Sequence, residues 1–276
     1  MRRIFERFSP ADFQFIVDLL CEDEKQKPRF LALVRQDPKS LDSLLDQDCI
    51  FKRIFEKEDL FARISPYLYF ELLLRRAILD IRREAYTLET IGYKTRVPVF
   101  DQKRVLEVFS KDMLRDYLVE MLASFVRINN FTVYVRKGKG IYFKKTFSDF
   151  DLDFLSEMGE RSEEPYRFFF LKRAGDVALF ISGIFPEYIF GRPDAGHFHS
   201  RGSWLTKWAN RGEELEERGA LLYRQASESQ VAREQNLDSV LGYLAENFCF
   251  TKKPLNVMTD RYLIFRKYDI FQILSN

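Results

Sequence analysis

The sequence predicts an all-α, mainly helical fold, an irregular multi-helix bundle with one inserted β-hairpin. Apolar residues recur at helical spacing along most of the chain, and Ser-Pro pairs mark where helices start. With 46% hydrophobic and 16% aromatic residues but only 12 Gly and 9 Pro among 276, the composition is that of a globular protein and excludes a disordered chain. The 44 basic and 42 acidic residues leave a net charge of +2, which argues against a dedicated polyanion binder.

The N-terminal helical block covers residues 1–128. Ser9-Pro10-Ala11-Asp12 combines an N-cap residue, a proline at the first helical position and an acid in the first turn, so it predicts a helix start. Ser65-Pro66 repeats this signal. The stretch that follows, Tyr67–Arg83, is apolar nearly all round, which predicts the central buried helix of the block.

The β-hairpin covers residues 129–150. Phe131–Arg136 and Ile141–Thr146 are rich in β-branched and aromatic residues, and two glycines lie between them where a turn is needed. The earlier stretch Thr87–Phe100 has no helical period and is expected to be irregular. This hairpin is therefore the only β element that the sequence predicts with a clear pattern.

The C-terminal helical block covers residues 151–276 and is expected to pack with the first block as one unit. Its first long helix should follow Glu164-Pro165 and stop before Pro186. Two glycines inside that helix, Gly175 and Gly183, predict that neighbouring helices approach it closely.

A second long helix is expected over residues 203–226. Its inward face should carry Trp204 and Trp208, which are the partner-binding candidates. Further helices are expected over 237–248 and 261–274.

The location predicted from the sequence is the cytoplasm. The N-terminus lacks the apolar run of a signal peptide, and no apolar window approaches the roughly 20 residues of a membrane-spanning helix. The three cysteines, Cys21, Cys49 and Cys249, are widely spaced among apolar neighbours, so we expect buried thiols in a reducing compartment.

The only two histidines, His197 and His199, lie in one loop-like segment. With Asp194 they offer two nitrogens and a carboxylate to a divalent metal, which is the metal-site hypothesis. Arg192 and His197 have the Arg-x4-His spacing that resembles the signature of HEPN ribonucleases; that resemblance implies that Arg192 holds the scissile phosphate and His197 acts as acid or base without a metal. The alternative is a solvated loop without either activity.

An acidic stretch follows the hairpin. Asp149, Asp151 and Asp153 resemble the Asp-x-Asp strand of small nucleotidyltransferases, which implies Mg²⁺ binding. With Glu160 they also have the spacing of a calcium loop, although Phe154 stands where that loop needs glycine. The third interpretation is a helix start whose acids favour the positive end of the helix dipole.

The hairpin also has the best local electrostatic feature of the chain, cations interleaved with aromatic residues. Such a ribbon suits phosphates and stacked bases, whereas exposed hairpins also carry lysines to prevent edge-to-edge pairing. The nucleic-acid-binding candidates are Arg136, Lys137, Lys139, Lys144, Lys145 and Tyr142.

Three segments together resemble a group of bacterial, mainly helical proteins of unknown function: 65–71, 166–186 and 254–263. The resemblance implies a bacterial cytoplasmic protein, and it implies no activity and no site residues.

These observations predict a non-enzymatic interaction protein, an adaptor or regulatory subunit that needs no cofactor and binds a protein partner or itself, with no membrane contact. The second hypothesis is a nucleic-acid-binding protein that uses the hairpin, with cleavage by Arg192 and His197 as its enzymatic form. The third is a metal-dependent hydrolase.

Overall fold

The structure of the chain is a computed structural model. The structure describes residues 3–56, 63–92, 95–126, 130–138, 141–190, 211–264 and 266–271.

The predicted mainly helical class is confirmed. The chain divides into two compact units: residues 1–85 with 102–124, and residues 86–101 with 125–276. Residues 86–101 and the residues from 125 onward thus belong to the second unit.

The first unit is helical throughout its described residues. A 3₁₀ helix at Arg3–Arg7 precedes α1 (Pro10–Leu20), α2 (Lys27–Gln36), α3 (Pro38–Leu44), α4 (Asp48–Glu56), α5 (Pro66–Arg83), α6 (Gln102–Val108) and α7 (Asp112–Ser124).

The two Ser-Pro signals of this unit are joined by one buried carboxylate. Ser9 caps α1 and Ser65 caps α5, as predicted. Asp12 closes the capping box by accepting the Ser9 backbone N–H at 2.6 Å, and its second oxygen accepts the Ser65 backbone N–H at 2.7 Å. The carboxylate is fully buried, so it ties the starts of the two helices together inside the unit. Helix α5 is buried on nearly all sides, which confirms its prediction as the central helix.

The second unit contains two hairpins and a helical cluster. Its elements are β1 (Thr87–Gly92), β2 (Thr95–Val99), β3 (Asn130–Gly138), β4 (Ile141–Ser148), α8 (Leu152–Arg161), α9 (Tyr166–Ile184), α10 (Pro186–Phe190), α11 (Gly212–Ser227), α12 (Gln230–Glu234), α13 (Asp238–Glu246), α14 (Phe248–Met258), a π-helix at Thr259–Leu263 and α15 (Lys267–Ile270).

Helix α9 is the centre of this unit, and both glycine predictions are confirmed. A Cβ at Gly175 would lie 2.8 Å from the Tyr223 ring, and a Cβ at Gly183 would lie 2.7 Å from Leu255. Only glycine lets α11 and α14 come this close to α9. Within α9, Asp176 accepts a hydrogen bond from Lys172 at 2.8 Å.

The C-terminal end of α9 is capped by side chains of the last helices. Asn256 Nδ2 donates to the carbonyl oxygens of Ser182 and Gly183, each at 2.9 Å, and Lys267 Nζ donates to that of Ile184 at 3.2 Å. A helix end has four carbonyls without helical partners, so these donors satisfy buried groups that would otherwise destabilise the fold. The segment 254–263, singled out in the sequence, thus has a structural role.

Several sequence predictions are wrong. Strands β1 and β2 pair in an antiparallel ladder, where an irregular stretch was expected. A continuous helix over 261–274 is replaced, within the described residues, by a π-helix and the short α15. The expected burial of all three thiols fails, because Cys49 and Cys249 are exposed and Cys21 is half-buried.

Candidate functional site

The first hairpin has two faces with opposite properties, because side chains alternate along a strand. Thr87 on β1 is buried, and Glu89 is half-buried beside it. Their cross-strand partners are Val99 and Val97, which are also half-buried. These four residues form the inner hairpin face, which packs on other elements of the same unit.

The inner face is held by a group of charged residues that we call the lysine clamp: Glu89, Asp101, Glu216, Lys252 and Lys253. The two lysines stand next to each other on α14, and their side chains are only 10% and 5% exposed. Buried ammonium groups are stable only when carboxylates or hydroxyls surround them.

Each lysine of the clamp reaches a different carboxylate next to the hairpin. Lys253 Nζ forms an ion pair with Asp101 and donates to Thr87 Oγ1 at 3.2 Å. Lys252 Nζ donates to Glu89 Oε1 at 3.2 Å and forms an ion pair with Glu216 of α11. The clamp therefore fastens the hairpin to two helices of its own unit.

Within the clamp, Lys252 is placed to bind carboxylates and not to transfer a proton. Burial alone would lower the pKa of Lys252, but the negative charges of Glu216 and Glu89 outweigh it and raise that pKa above the ordinary lysine value. Lys252 therefore carries its full charge at neutral pH. A general acid or base needs a pKa near the working pH, which this lysine does not have.

The thiol next to the clamp is poorly suited to nucleophilic chemistry. Cys249 Sγ donates to Glu216 Oε2 at 3.4 Å. Desolvation and the charge of Glu216 raise the pKa of Cys249 above its usual range, although the residue as a whole is exposed. The reactive thiolate is therefore scarce at neutral pH.

The outer hairpin face, by contrast, presents apolar side chains to solvent. The apolar residues that define the outer hairpin face are Tyr86, Leu88, Pro98 and Phe100, and Ile91 is exposed near the hairpin tip. The next rung on the same face pairs Thr90 with Arg96, which forms an ion pair with Asp260 at 2.7 Å. Phe100 is 81% exposed and Ile91 57%. The Tyr86 and Phe100 rings meet edge to face with centroids 6.1 Å apart, so the two aromatics form a contiguous surface.

The exposed area of this face is large for such a short hairpin. Aromatic side chains of roughly 150–250 Å² leave roughly 200–300 Å² exposed on Tyr86 and Phe100 together. Leu88, at 44% exposure, adds to this area together with Ile91 and Pro98. The sum falls in the range of the largest apolar patch on a typical monomer, a size that is often functional.

The second hairpin matches its sequence prediction closely. Strands β3 and β4 pair in an antiparallel register from Asn130↔Ser148 to Gly138↔Ile141, with an irregularity after Arg136. Arg136 pairs with Tyr142, and the next rung on the same face pairs Tyr134 with Lys144. Lys145 pairs with Val133 in the adjacent rung, so the register places Lys145 and Lys144 on opposite faces of the ladder. Lys137 belongs to β3, and Lys139 lies outside the described residues.

The other candidate residues lie outside the described residues, and their proposed roles stay predictions. They are Arg192, Asp194, His197, His199, Trp204 and Trp208. Within the described part of the chain, no group of three or more His, Cys, Asp and Glu side chains is placed to hold a metal ion.

The acidic stretch after the second hairpin begins a helix, as its third interpretation predicts. Asp151 caps α8 by accepting the Phe154 N–H at 3.0 Å. Asp149 is buried and pairs with Arg173 at 2.7 Å, and Asp153 pairs with Arg218 at 2.7 Å. These aspartates therefore bind backbone and arginine groups.

Each of the described helices is too short or too polar to span a bilayer. Comparisons of the chain with protein-family models, curated proteins and solved structures found no match.

Sequence reasoning missed both the outer hairpin face and the lysine clamp. A weak signal was present, because Thr87–Ile91 and Thr95–Val99 are rich in β-branched residues. Two features hid it. Glu89 and Arg96 interrupt the apolar pattern, and Pro98 is unusual inside a strand.

Proposed function

We propose that the protein is a non-enzymatic interaction protein, an adaptor or regulatory subunit, whose partner docks on the outer hairpin face. The observation that carries the proposal is the exposed apolar surface of Tyr86, Leu88 and Phe100 on a hairpin whose other face is fixed by buried ion pairs. A rigid aromatic surface binds at a low cost in conformational entropy, because its side chains are ordered before the partner arrives.

The proposed occupant is the apolar surface of a different protein. A stable interface buries about 800 Å² on each partner, and obligate homodimers bury more. The outer hairpin face alone supplies roughly half of that area or less, which suits the apolar centre of a transient complex with a polar rim. Pairing of two copies through this face would leave too little buried area for a permanent dimer.

The lysine clamp supports the non-enzymatic part of the proposal, because the raised pKa values of Lys252 and Cys249 keep that lysine charged and that thiol protonated at neutral pH. The proposal includes a bacterial cytoplasmic setting, which rests on the sequence resemblance described above.

The experiment is site-specific photo-crosslinking in the native cell at three positions, followed by binding with the purified partner. A benzoylphenylalanine at position 88 or 100 should capture one dominant protein. The same probe at position 166 is the control, because Tyr166 is 67% exposed but lies on α9 away from the outer hairpin face.

The purified partner must then bind the wild-type chain and lose affinity for the Leu88→Asp protein. Tyr166→Asp should bind normally. Equal capture at all three positions, capture of a second copy of the chain, or unchanged binding of Leu88→Asp would each contradict the proposal.

A further inference from the structure

The register of the second hairpin sorts its residues onto two chemically different faces. Cross-strand partners share a face, and so do residues two positions apart on one strand. One face of the ribbon therefore contains only polar, charged and tyrosine residues: Asn130, Thr132, Tyr134, Arg136, Tyr142, Lys144, Thr146 and Ser148.

The opposite face of the ribbon is mainly apolar. Its rungs pair Phe131 with Phe147 and Val135 with Phe143, and its remaining rung contains Lys145 opposite Val133. In an antiparallel ribbon with this alternation, the polar face is the one suited to a polar ligand.

The centre of the polar face is a square of two rungs. Tyr134 and Tyr142 occupy one diagonal, and Arg136 and Lys144 occupy the other. Diagonal positions on such a ladder lie about 7–8 Å apart. By register, each tyrosine therefore stands directly across the ladder from a cationic residue and two positions from another along its strand.

We propose that this face, Tyr134, Arg136, Tyr142 and Lys144, binds single-stranded nucleic acid. Proteins that bind single strands combine cations that follow the phosphates with aromatic rings on which bases stack, and the square supplies both. In a duplex the bases are already stacked on each other, so the two tyrosines would have no role there. This site is separate from the outer hairpin face, and its test does not depend on the proposed docking partner.

The test measures binding of the full chain to a fluorescent 20-nucleotide oligo(U) and oligo(dT) by anisotropy over a range of salt concentrations. The decisive comparison is Lys144→Gln with Lys145→Gln. The two lysines are neighbours and lose the same charge, but the register puts them on opposite faces.

Lys144→Gln should weaken binding and reduce the slope of log K against log salt by about 0.7, the value for one phosphate contact to a single strand. Lys145→Gln should leave both the affinity and the slope unchanged. Equal effects of the two substitutions would overturn the proposal, because they would mean that net charge alone determines binding.

The tyrosines are tested by truncation and by a conservative change. Tyr134→Ala and Tyr142→Ala should each lower the affinity by about 5- to 150-fold, the range for loss of one stacked base. Tyr142→Phe keeps the ring and should retain binding. Circular dichroism of each variant must match the wild type, which separates lost binding from lost folding.

Three further results would overturn the proposal: no binding to either oligonucleotide at low salt, duplex DNA bound as tightly as single strands, or full affinity after both tyrosines are truncated.

Discussion

Removing the Lys253 ammonium should release the first hairpin from its unit. Lys253→Met keeps most of the side-chain volume but leaves Asp101 without its buried cation, while Thr87 still donates to Asp101 at 2.6 Å. Breaking a fully buried ion pair costs about 3–5 kcal/mol. Asp101 is 17% exposed and keeps the Thr87 bond, so we expect about 2–3 kcal/mol here.

Hydrogen exchange measured by mass spectrometry can locate this loss. In the variant, amides of the peptide covering 86–101 should exchange about 30- to 150-fold faster, the ratio that corresponds to the expected free energy. Amides of α9 should be unchanged. Lys103→Met is the matched control, because Lys103 is exposed and surface changes alter stability little. Unchanged protection of 86–101 in the Lys253→Met protein would refute the assigned role of the lysine clamp.

Three further predictions test other parts of the account. Gly183→Ala should lower the free energy of unfolding by about 1–3 kcal/mol, because the added Cβ overpacks the helix contact. Gly242→Ala should raise it by about 0.5–1 kcal/mol, because the nearest neighbour of its added Cβ is 3.9 Å away. Urea titrations that rank the two variants the other way would contradict the packing. Glu216→Gln should lower the pKa of Cys249, because it removes a negative charge next to the thiol, so alkylation of the Cys249 peptide should begin at lower pH. An unchanged pH dependence of alkylation would exclude an effect of Glu216 on this thiol. The pKa of Lys252 is raised in the folded state, so its contribution to the free energy of unfolding should be complete below the unfolded-state pKa of about 10.4. That contribution, measured as the difference from Lys252→Met, should disappear as the pH rises through the folded-state pKa. A loss near neutral pH would contradict the charged clamp.

The helices could be predicted from the sequence because their signals are local. Ser9 and Ser65 stand directly before prolines, and the structure uses both as caps. Gly175 and Gly183 interrupt an otherwise bulky apolar helix, and each marks a close helix contact. In such cases a few neighbouring residues determine the local structure.

The candidate surface could not be predicted because its determinants are distant in the chain. Lys253 pairs with Asp101 across 152 residues, and Lys252 pairs with Glu89 across 163. These pairs hold Thr87 and Glu89 against the helices of the unit, while Phe100 stays exposed.

The central claim is that a protein partner docks on the outer hairpin face, and the most direct measurement is the affinity of that partner for Phe100→Ala. Truncating an aromatic anchor at the centre of an interface costs about 2 kcal/mol or more, so the dissociation constant should rise by at least about 30-fold, while Tyr166→Ala should bind as the wild type does. A partner that binds the Phe100→Ala and wild-type proteins equally well would contradict the claim.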